Sequence, residues 1–206
     1  MRKIIDLDTY PLDQQDSPRY QSMVRELAQQ LDSEQVCVLP GFLRDSVRRE
    51  EISRILAALP RANAARSLRN VYLARTKTDG LPDDHPKNIL AEASYKMLGA
   101  HLLPEDSAMK MLYHWTPFRQ FVASVTGSEV LFPSEDPYQP VNVLCHEAGD
   151  KSAWHFDSTN SFTMTLTLQS PDSGGVFEMS PNIRSEDDPN LGPLRELLRG
   201  DHHTVK

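Results

Sequence analysis

The stretch Trp154-His155-Phe156-Asp157 decides how the fold is interpreted, because it places a histidine and a carboxylate two residues apart. In a β-strand, the side chains at positions i and i+2 project from the same face. An imidazole nitrogen and a carboxylate oxygen spaced in this way can converge on one metal ion. The sequence therefore predicts that His155 and Asp157 are two ligands of a metal site built on strands.

The sequence around this pair favours strands. Residues 141–145 form a short apolar run of β-prone side chains, and Gly149-Asp150 marks a turn. Residues 162–168 alternate threonine with apolar side chains, which is the period of a strand with one buried face. A further turn leads to another predicted strand at 176–179. The isolated motif has a plainer alternative, a solvent-exposed loop histidine beside a surface aspartate.

The composition is typical of a globular protein with one sizeable core: of 206 residues, 25% are charged and 39% are hydrophobic. The net charge of −7 and the lack of a basic stripe argue against a nucleic-acid partner. Cys37 and Cys145 lie in apolar runs, which predicts buried free thiols. The sequence has no signal-peptide-like segment and no apolar run of membrane-spanning length. We therefore expect a soluble, cytoplasmic protein with no membrane partner.

Helical patterns dominate the first part of the chain. Ser17 is a suitable N-cap before Pro18, and apolar residues then recur with helical period as far as Leu31. Further helices are predicted over 45–59, 104–125 and 193–199, and short strands over 36–39 and 70–73. Helices that precede strands predict a single α+β domain over 1–206. Within it, we expect a helical support region at 1–127 and a β-roll portion at 128–206.

The stretch 141–185 resembles the Fe(II)/2-oxoglutarate-dependent oxygenases, whose fold is a double-stranded β-helix (jelly roll). The resemblance rests on His146 and Gly149 at the positions of a Tyr-x-x-Gly pattern, on the His155–Asp157 pair, and on Gly174-Gly175 before a strand. Over most of its length, the chain is similar to a bacterial subgroup that acts on free amino acids and includes hydroxylases and radical halogenases of lysine-like substrates. The segments that carry this similarity are 38–43, 154–157, 168–170 and 181–185.

This resemblance implies a fold, cofactors and site residues. The N-terminal helices are expected to pack on a jelly roll, with Fe(II) as the metal, 2-oxoglutarate as the co-substrate and O₂ as the oxidant. His155 and Asp157 are the implied iron ligands, since two histidines and one carboxylate form the facial triad of such enzymes. The further candidates are His146, Asn142 and Thr165 for the co-substrate, and Arg184 and Trp154 for an amino-acid substrate. Each of these also has a purely structural interpretation, as a surface or core residue.

The end of the chain departs from the pattern. In the oxygenases that it resembles, a late strand carries a second histidine ligand, and an arginine after it binds 2-oxoglutarate. No strand-like stretch with a histidine follows Asp157, and no arginine follows Arg199. We therefore expect an incomplete roll, in a fragment or a natural truncation, unless His202 or His203 folds back as the third ligand. An inactive jelly-roll binding module is the alternative function, and a Zn hydrolase that uses His146 ranks last.

Asp157 separates two possible reactions. Radical halogenases of the subgroup have a small residue in place of the carboxylate ligand, which lets a halide bind the iron. Because Asp157 occupies that position, the resemblance implies hydroxylation of a free, lysine-like amino acid, with halogenation as the alternative. The expected partner is a small molecule, and a homodimer is left open.

Overall fold

The computed structural model describes residues 1–138, 140–157, 164–183 and 189–200. The chain divides into two compact units, each built from two separate chain segments. The first unit comprises Met1–Ala62 and Leu98–Val143, and the second comprises Asn63–Met97 and Leu144–Lys206. Among the described residues, the elements are helices and one three-stranded sheet, an α+β content. The jelly roll remains a prediction.

The described part of the first unit contains four α-helices, which are α1 (Pro18–Glu34), α2 (Asp45–Ala58), α3 (Ala108–His114) and α4 (Thr116–Thr126). It also contains two short 3-10 helices, Leu59–Arg61 and Ala100–Leu102. The backbone N–H of Tyr20 donates to Oγ of Ser17 over 3.2 Å, so the predicted N-cap of α1 is confirmed. Helix α1 packs against α4, where the rings of Tyr20 and Phe121 meet edge to face with centroids 6.5 Å apart.

The prediction of a single helix over 104–125 is wrong, because the structure has two helices, α3 and α4, in this range. Trp115 separates the two helices in an extended conformation, with φ −76° and ψ 113°. Pro117 lies in the first turn of α4, where its missing N–H leaves no helical hydrogen bond unmade. Inside a continuous helix, the same proline would remove one hydrogen bond and clash with the preceding turn. Helix α3 therefore ends at His114, and α4 begins as a separate helix at Thr116.

The sheet lies mostly in the second unit. Its strands are β1 (Asn63–Arg69), β2 (Ala91–Leu98) and β3 (Val143–Cys145), in the order β1-β2-β3. Strands β1 and β2 are antiparallel, with Asn63 opposite Met97 and Arg69 opposite Ala91. Only β3 matches a predicted strand. Both β1 and β2 occur in the region that was expected to be helical. Neither was predicted, because their short polar and alanine-rich sequences carry only a weak β signal.

Several predicted strands are not formed in the described part of the chain. Residues 36–39 and 70–73 lie outside strands, as do 164–168. Of the strand predicted at 176–179, only Met179 takes part in a β-bridge. Residues 162 and 163 lie outside the described residues. Near the first of these segments, the backbone pairing is a single bridge between Ile5 and Leu43. A β-prone run becomes a strand only where another segment of the chain lies beside it and supplies hydrogen-bond partners. The sequence does not reveal which segment that is.

Helix α5 (Leu191–Arg199) ends at Gly200, whose φ of 85° makes it a left-handed C-cap, as predicted. Its buried side chains Leu194 and Leu197 form a cluster with Val71 and Ile183. This cluster is the core on which the candidate site is built.

Candidate metal site

The segment 154–157 alternates between core and solvent, although it is not part of a strand. The backbone N–H of Phe156 donates to the carbonyl oxygen of Val71 over 2.9 Å. Trp154 and Phe156 pack against the cluster of Val71, Ile183, Leu194 and Leu197. The side chains of His155 and Asp157 are 48% and 61% exposed. The period-2 pattern therefore puts the two aromatic residues against the core and leaves the predicted ligand pair exposed.

The orientation of His155 suits a metal ligand. Its Nδ1 lies 2.9 Å from the carbonyl oxygen of Ala153. A carbonyl oxygen can only accept, so Nδ1 carries the proton and Nε2 keeps a free lone pair in the neutral ring. A metal-binding histidine commonly donates its other N–H to a backbone carbonyl in this way.

Nε2 of His155 lies 3.6 Å from Oδ1 of Asp157. A nitrogen and a carboxylate oxygen at this separation can both approach one divalent ion, since metal–ligand bonds to these atoms are about 2.0–2.2 Å long. The described residues contain no group of three or more His, Cys, Asp or Glu side chains that could hold a metal. The pair thus has the donor chemistry of an iron or zinc site, and its role as two metal ligands remains a prediction. His202 and His203 lie outside the described residues.

A cavity of about 140 Å³ adjoins His155. Two residues predicted from the sequence, His146 and Trp154, line it together with His155. The remaining lining comes from the sheet and two loops: Arg69, Asn70, Leu73, Ala93, Tyr95, Leu144, Ser152 and Ala153. Trp154 thus both packs in the core and forms part of the cavity wall, which combines the two interpretations offered for it.

Arg69 and Tyr95 are cavity residues that the sequence analysis missed. Nη2 of Arg69 donates to the Tyr95 hydroxyl over 3.4 Å, and its Nε donates to Oγ of Ser67 over 2.8 Å. The Tyr95 ring lies 6.2 Å from the His146 ring. Every second residue of β1 from Ala65 to Arg69 is partly buried. If β1 had been recognised as a strand, this alternation would have predicted that Arg69 lies on its partly buried face.

His146 belongs to a turn that follows β3. Its Nε2 lies 3.3 Å from Oγ of Ser152. The backbone N–H of Glu147 donates to Oδ2 of Asp150 over 2.8 Å, and the N–H of Asp150 donates back to the Glu147 carbonyl over 3.0 Å. The backbone hydrogen bond from Glu147 lowers the pKa of Asp150, with a further contribution from Ser94. The turn is thus closed by an ionised aspartate, and it supports the histidine at the cavity.

The other candidate residues lie elsewhere. Asn142 is exposed just before β3, within the first compact unit. Thr165 is exposed in a segment without strand structure and is absent from the described lining of the cavity. Arg184 lies outside the described residues. The co-substrate role of Asn142 and Thr165 and the substrate role of Arg184 remain predictions.

Among the described residues, no helix is long and apolar enough to cross a membrane.

The family model of Halogenase D matches residues 20–201, and the chain therefore belongs to the Halogenase D family. No curated protein and no solved structure matches the chain. The family indicates a halogenase-like enzyme, in agreement with the halogenase side of the resemblance drawn from the sequence.

Proposed function

We propose that the chain is an Fe(II)/2-oxoglutarate-dependent hydroxylase of a free, lysine-like amino acid or a similar small polar substrate, within a family named for halogenation. The observation that carries the proposal is the approach of Asp157 Oδ1 to within 3.6 Å of His155 Nε2. With a metal bound, the carboxylate would fill the coordination position that a radical halogenase leaves for a halide. Its negative charge also disfavours a second anion on the same ion.

The residues of the chain have separate roles in this proposal. His155 and Asp157 hold the metal, and the carbonyl oxygen of Ala153 fixes the imidazole tautomer that leaves Nε2 free. Arg69 is a permanently charged donor in the cavity lining, suited to the carboxylate of an amino acid or of 2-oxoglutarate. When Fe(II), 2-oxoglutarate and O₂ are bound, one oxygen atom replaces a substrate hydrogen as hydroxyl, while the other enters the succinate formed as 2-oxoglutarate loses CO₂.

Metal binding is tested by anaerobic Fe(II) titration of the wild type and of His155→Ala. We expect His155→Ala to lower the affinity by at least about 10-fold, because changes even in groups that support a ligand cost 10–100-fold. His114→Ala is the matched control, since His114 is an exposed histidine at the end of α3. Equal affinities for the wild type and His155→Ala would remove the metal assignment. The double variant His202→Ala/His203→Ala tests whether the third ligand comes from these two residues.

The reaction is tested by mass spectrometry of free amino acids incubated with the protein, Fe(II), 2-oxoglutarate, O₂ and chloride. We expect products heavier by one oxygen atom and formation of succinate. Asp157→Gly is expected to lose most hydroxylation. A chlorinated main product from the unmutated chain would contradict hydroxylation.

Halogenation is the second candidate function, and membership of the Halogenase D family favours it. It requires a halide to bind the iron beside Asp157 or in its place. The product experiment separates the two reactions, because both use 2-oxoglutarate and O₂, while halogenation also consumes the halide and adds it to the substrate in place of the hydroxyl.

A further inference from the structure

Leu73 has an unusual backbone conformation. Its φ is 65°, in the left-handed region that glycine and asparagine occupy readily and leucine rarely. A non-glycine residue held there is strained, and such residues concentrate at ligand-binding and active sites. Leu73 is therefore a position where the fold maintains a side chain at a conformational cost.

The conformation is enforced by Asn70, which is 2% exposed. The N–H of Leu73 donates to the Asn70 carbonyl over 2.9 Å, and the N–H of Asn70 donates to the Ala74 carbonyl over 2.9 Å. The side-chain oxygen of Asn70 accepts from the N–H groups of Tyr72 and Ala74, both over 3.0 Å. These bonds close a tight turn at 70–74 with Leu73 near its tip.

Two buried asparagines, Asn70 and Asn88, fix the rest of the loop. The side-chain nitrogen of Asn70 donates to the Lys87 carbonyl over 2.7 Å. Asn88 is 5% exposed, and its side chain bonds to the backbone of Thr78, Leu81 and Pro82. The position of Leu73 is thus set by a hydrogen-bonded loop rather than by its own packing.

The Leu73 side chain lines the cavity beside His155, and it remains 46% exposed. Leu144, which lines the same cavity, is 54% exposed. Two large apolar residues thus line a cavity whose lining also contains Arg69 and His146. A ligand with a carboxylate and an aliphatic chain would pair with the guanidinium through the carboxylate and cover the leucines with the chain, and covering apolar surface is favourable.

We propose that Leu73 is a specificity-determining residue: held in a left-handed turn by Asn70, it forms an apolar wall beside His155 that selects the aliphatic part of the substrate. This inference rests on the proposed function. It assigns the choice of side-chain length, among the amino acids of the proposed function, to a residue that is not one of the two proposed metal ligands.

The test compares Leu73→Ala, Leu73→Gly and Leu73→Asn with the wild type and with Leu68→Ala. Leu68 is a similarly exposed leucine, at 55%, on β1 outside the described lining of the cavity, so it controls for loss of a surface leucine. Glycine removes the side chain and the strain together. Asparagine tolerates the left-handed conformation and makes the wall polar.

Each protein is assayed with Fe(II), 2-oxoglutarate and a panel of L-lysine, L-ornithine, L-leucine, L-norleucine and L-arginine. Succinate formation and anaerobic calorimetric binding are both measured. For Leu73→Gly and Leu73→Asn, we expect the ratio of kcat/KM values between panel members to shift by about 10-fold or more, as for the loss of a methylene-sized contact. The midpoint of thermal unfolding should not fall in Leu73→Gly, because the strain is released.

Two negative results have different meanings. If the wild type uses a panel member and the Leu73 variants keep the same preferences as Leu68→Ala, the role of Leu73 is overturned and the hydroxylase proposal stands. If the wild type neither binds nor uses any panel member, the proposed function itself is overturned, and the inference about Leu73 falls with it.

Discussion

The two compact units differ in how they bury their side chains. In the first unit, aromatic rings meet in a chain of contacts, with centroids 5.5 Å apart for Tyr10 and Phe42 and 5.8 Å apart for Phe42 and Phe118. In the second, a small aliphatic cluster around Leu194 holds Trp154 and Phe156, which are only partly buried. The segment that carries His155 and Asp157 is therefore held by the contacts of Trp154 and Phe156 with this cluster, whereas the first unit relies on contacts between aromatic rings.

The largest expected effect comes from removing a fully buried leucine in each unit. Leu194 and Leu12 are both 0% exposed. We expect Leu194→Ala and Leu12→Ala each to lower the free energy of unfolding by about 2–5 kcal/mol, measured by urea denaturation. Only Leu194→Ala should also weaken Fe(II) binding below the unfolding transition, because it loosens the cluster that holds Phe156. Equal loss of Fe(II) affinity in both variants would mean that the site does not depend on its local core.

A smaller loss of stability is expected when one buried polar side chain is removed from each of the two units. In the first unit, Glu51 is 3% exposed and accepts from Oγ of Ser107 over 2.9 Å and from the N–H of Ala108 over 3.0 Å. In the second, Asn70 accepts from two backbone N–H groups. Glu51→Ala and Asn70→Ala each leave buried donors without a partner. We expect each variant to lower the free energy of unfolding by about 1–3 kcal/mol.

We expect the two variants to differ in ligand selection. Asn70→Ala should alter the amino-acid preference, because it loosens the turn that holds Leu73 and because Asn70 itself lines the cavity. Glu51→Ala should change only the free energy of unfolding. The panel assay and urea denaturation measure the two properties separately. An unchanged preference in Asn70→Ala would argue that the turn at 70–74 keeps its shape without the asparagine side chain.

The smallest expected effect is on acid stability. The backbone hydrogen bond from Glu147 lowers the pKa of Asp150 in the second unit, and the hydroxyl of Thr9 lowers the pKa of Asp6 in the first. A folded-state pKa below the unfolded value stabilises the protein above the unfolded pKa, and this contribution is lost as the pH falls through the folded pKa. We therefore expect the acid-induced loss of stability below about pH 4 to be shallower in Asp150→Asn and in Asp6→Asn than in the wild type.

Chemical denaturation at several pH values measures this slope. If the His146 turn depends on the ionised Asp150, acid should also change the environment of Tyr95, read by the NMR signals of its ring, in the wild type and not in Asp150→Asn. Identical pH profiles for all three proteins would mean that neither carboxylate hydrogen bond contributes to folding.

Local signals in the sequence were reliable where a helix could be recognised from its own residues. The cap at Ser17, helix α2 and the glycine end of α5 were predicted because capping and helical period depend on neighbours along the chain. The strands were predicted poorly, since β1 and β2 have weak β patterns and are stabilised by pairing with each other. The run at 36–39 has a stronger pattern and no strand structure.

For the candidate site, the sequence by itself determined the spacing of His155 and Asp157 and the alternation of aromatic and ligand residues at 154–157. That information is local, because two residues with opposite preferences for water take opposite faces of an extended segment. Only the tertiary structure decided that Arg69, Leu73 and Tyr95 line the same cavity as His155 and His146. These residues come from distant parts of the chain, and their meeting depends on strand pairing and on the turn held by Asn70, which no local pattern encodes.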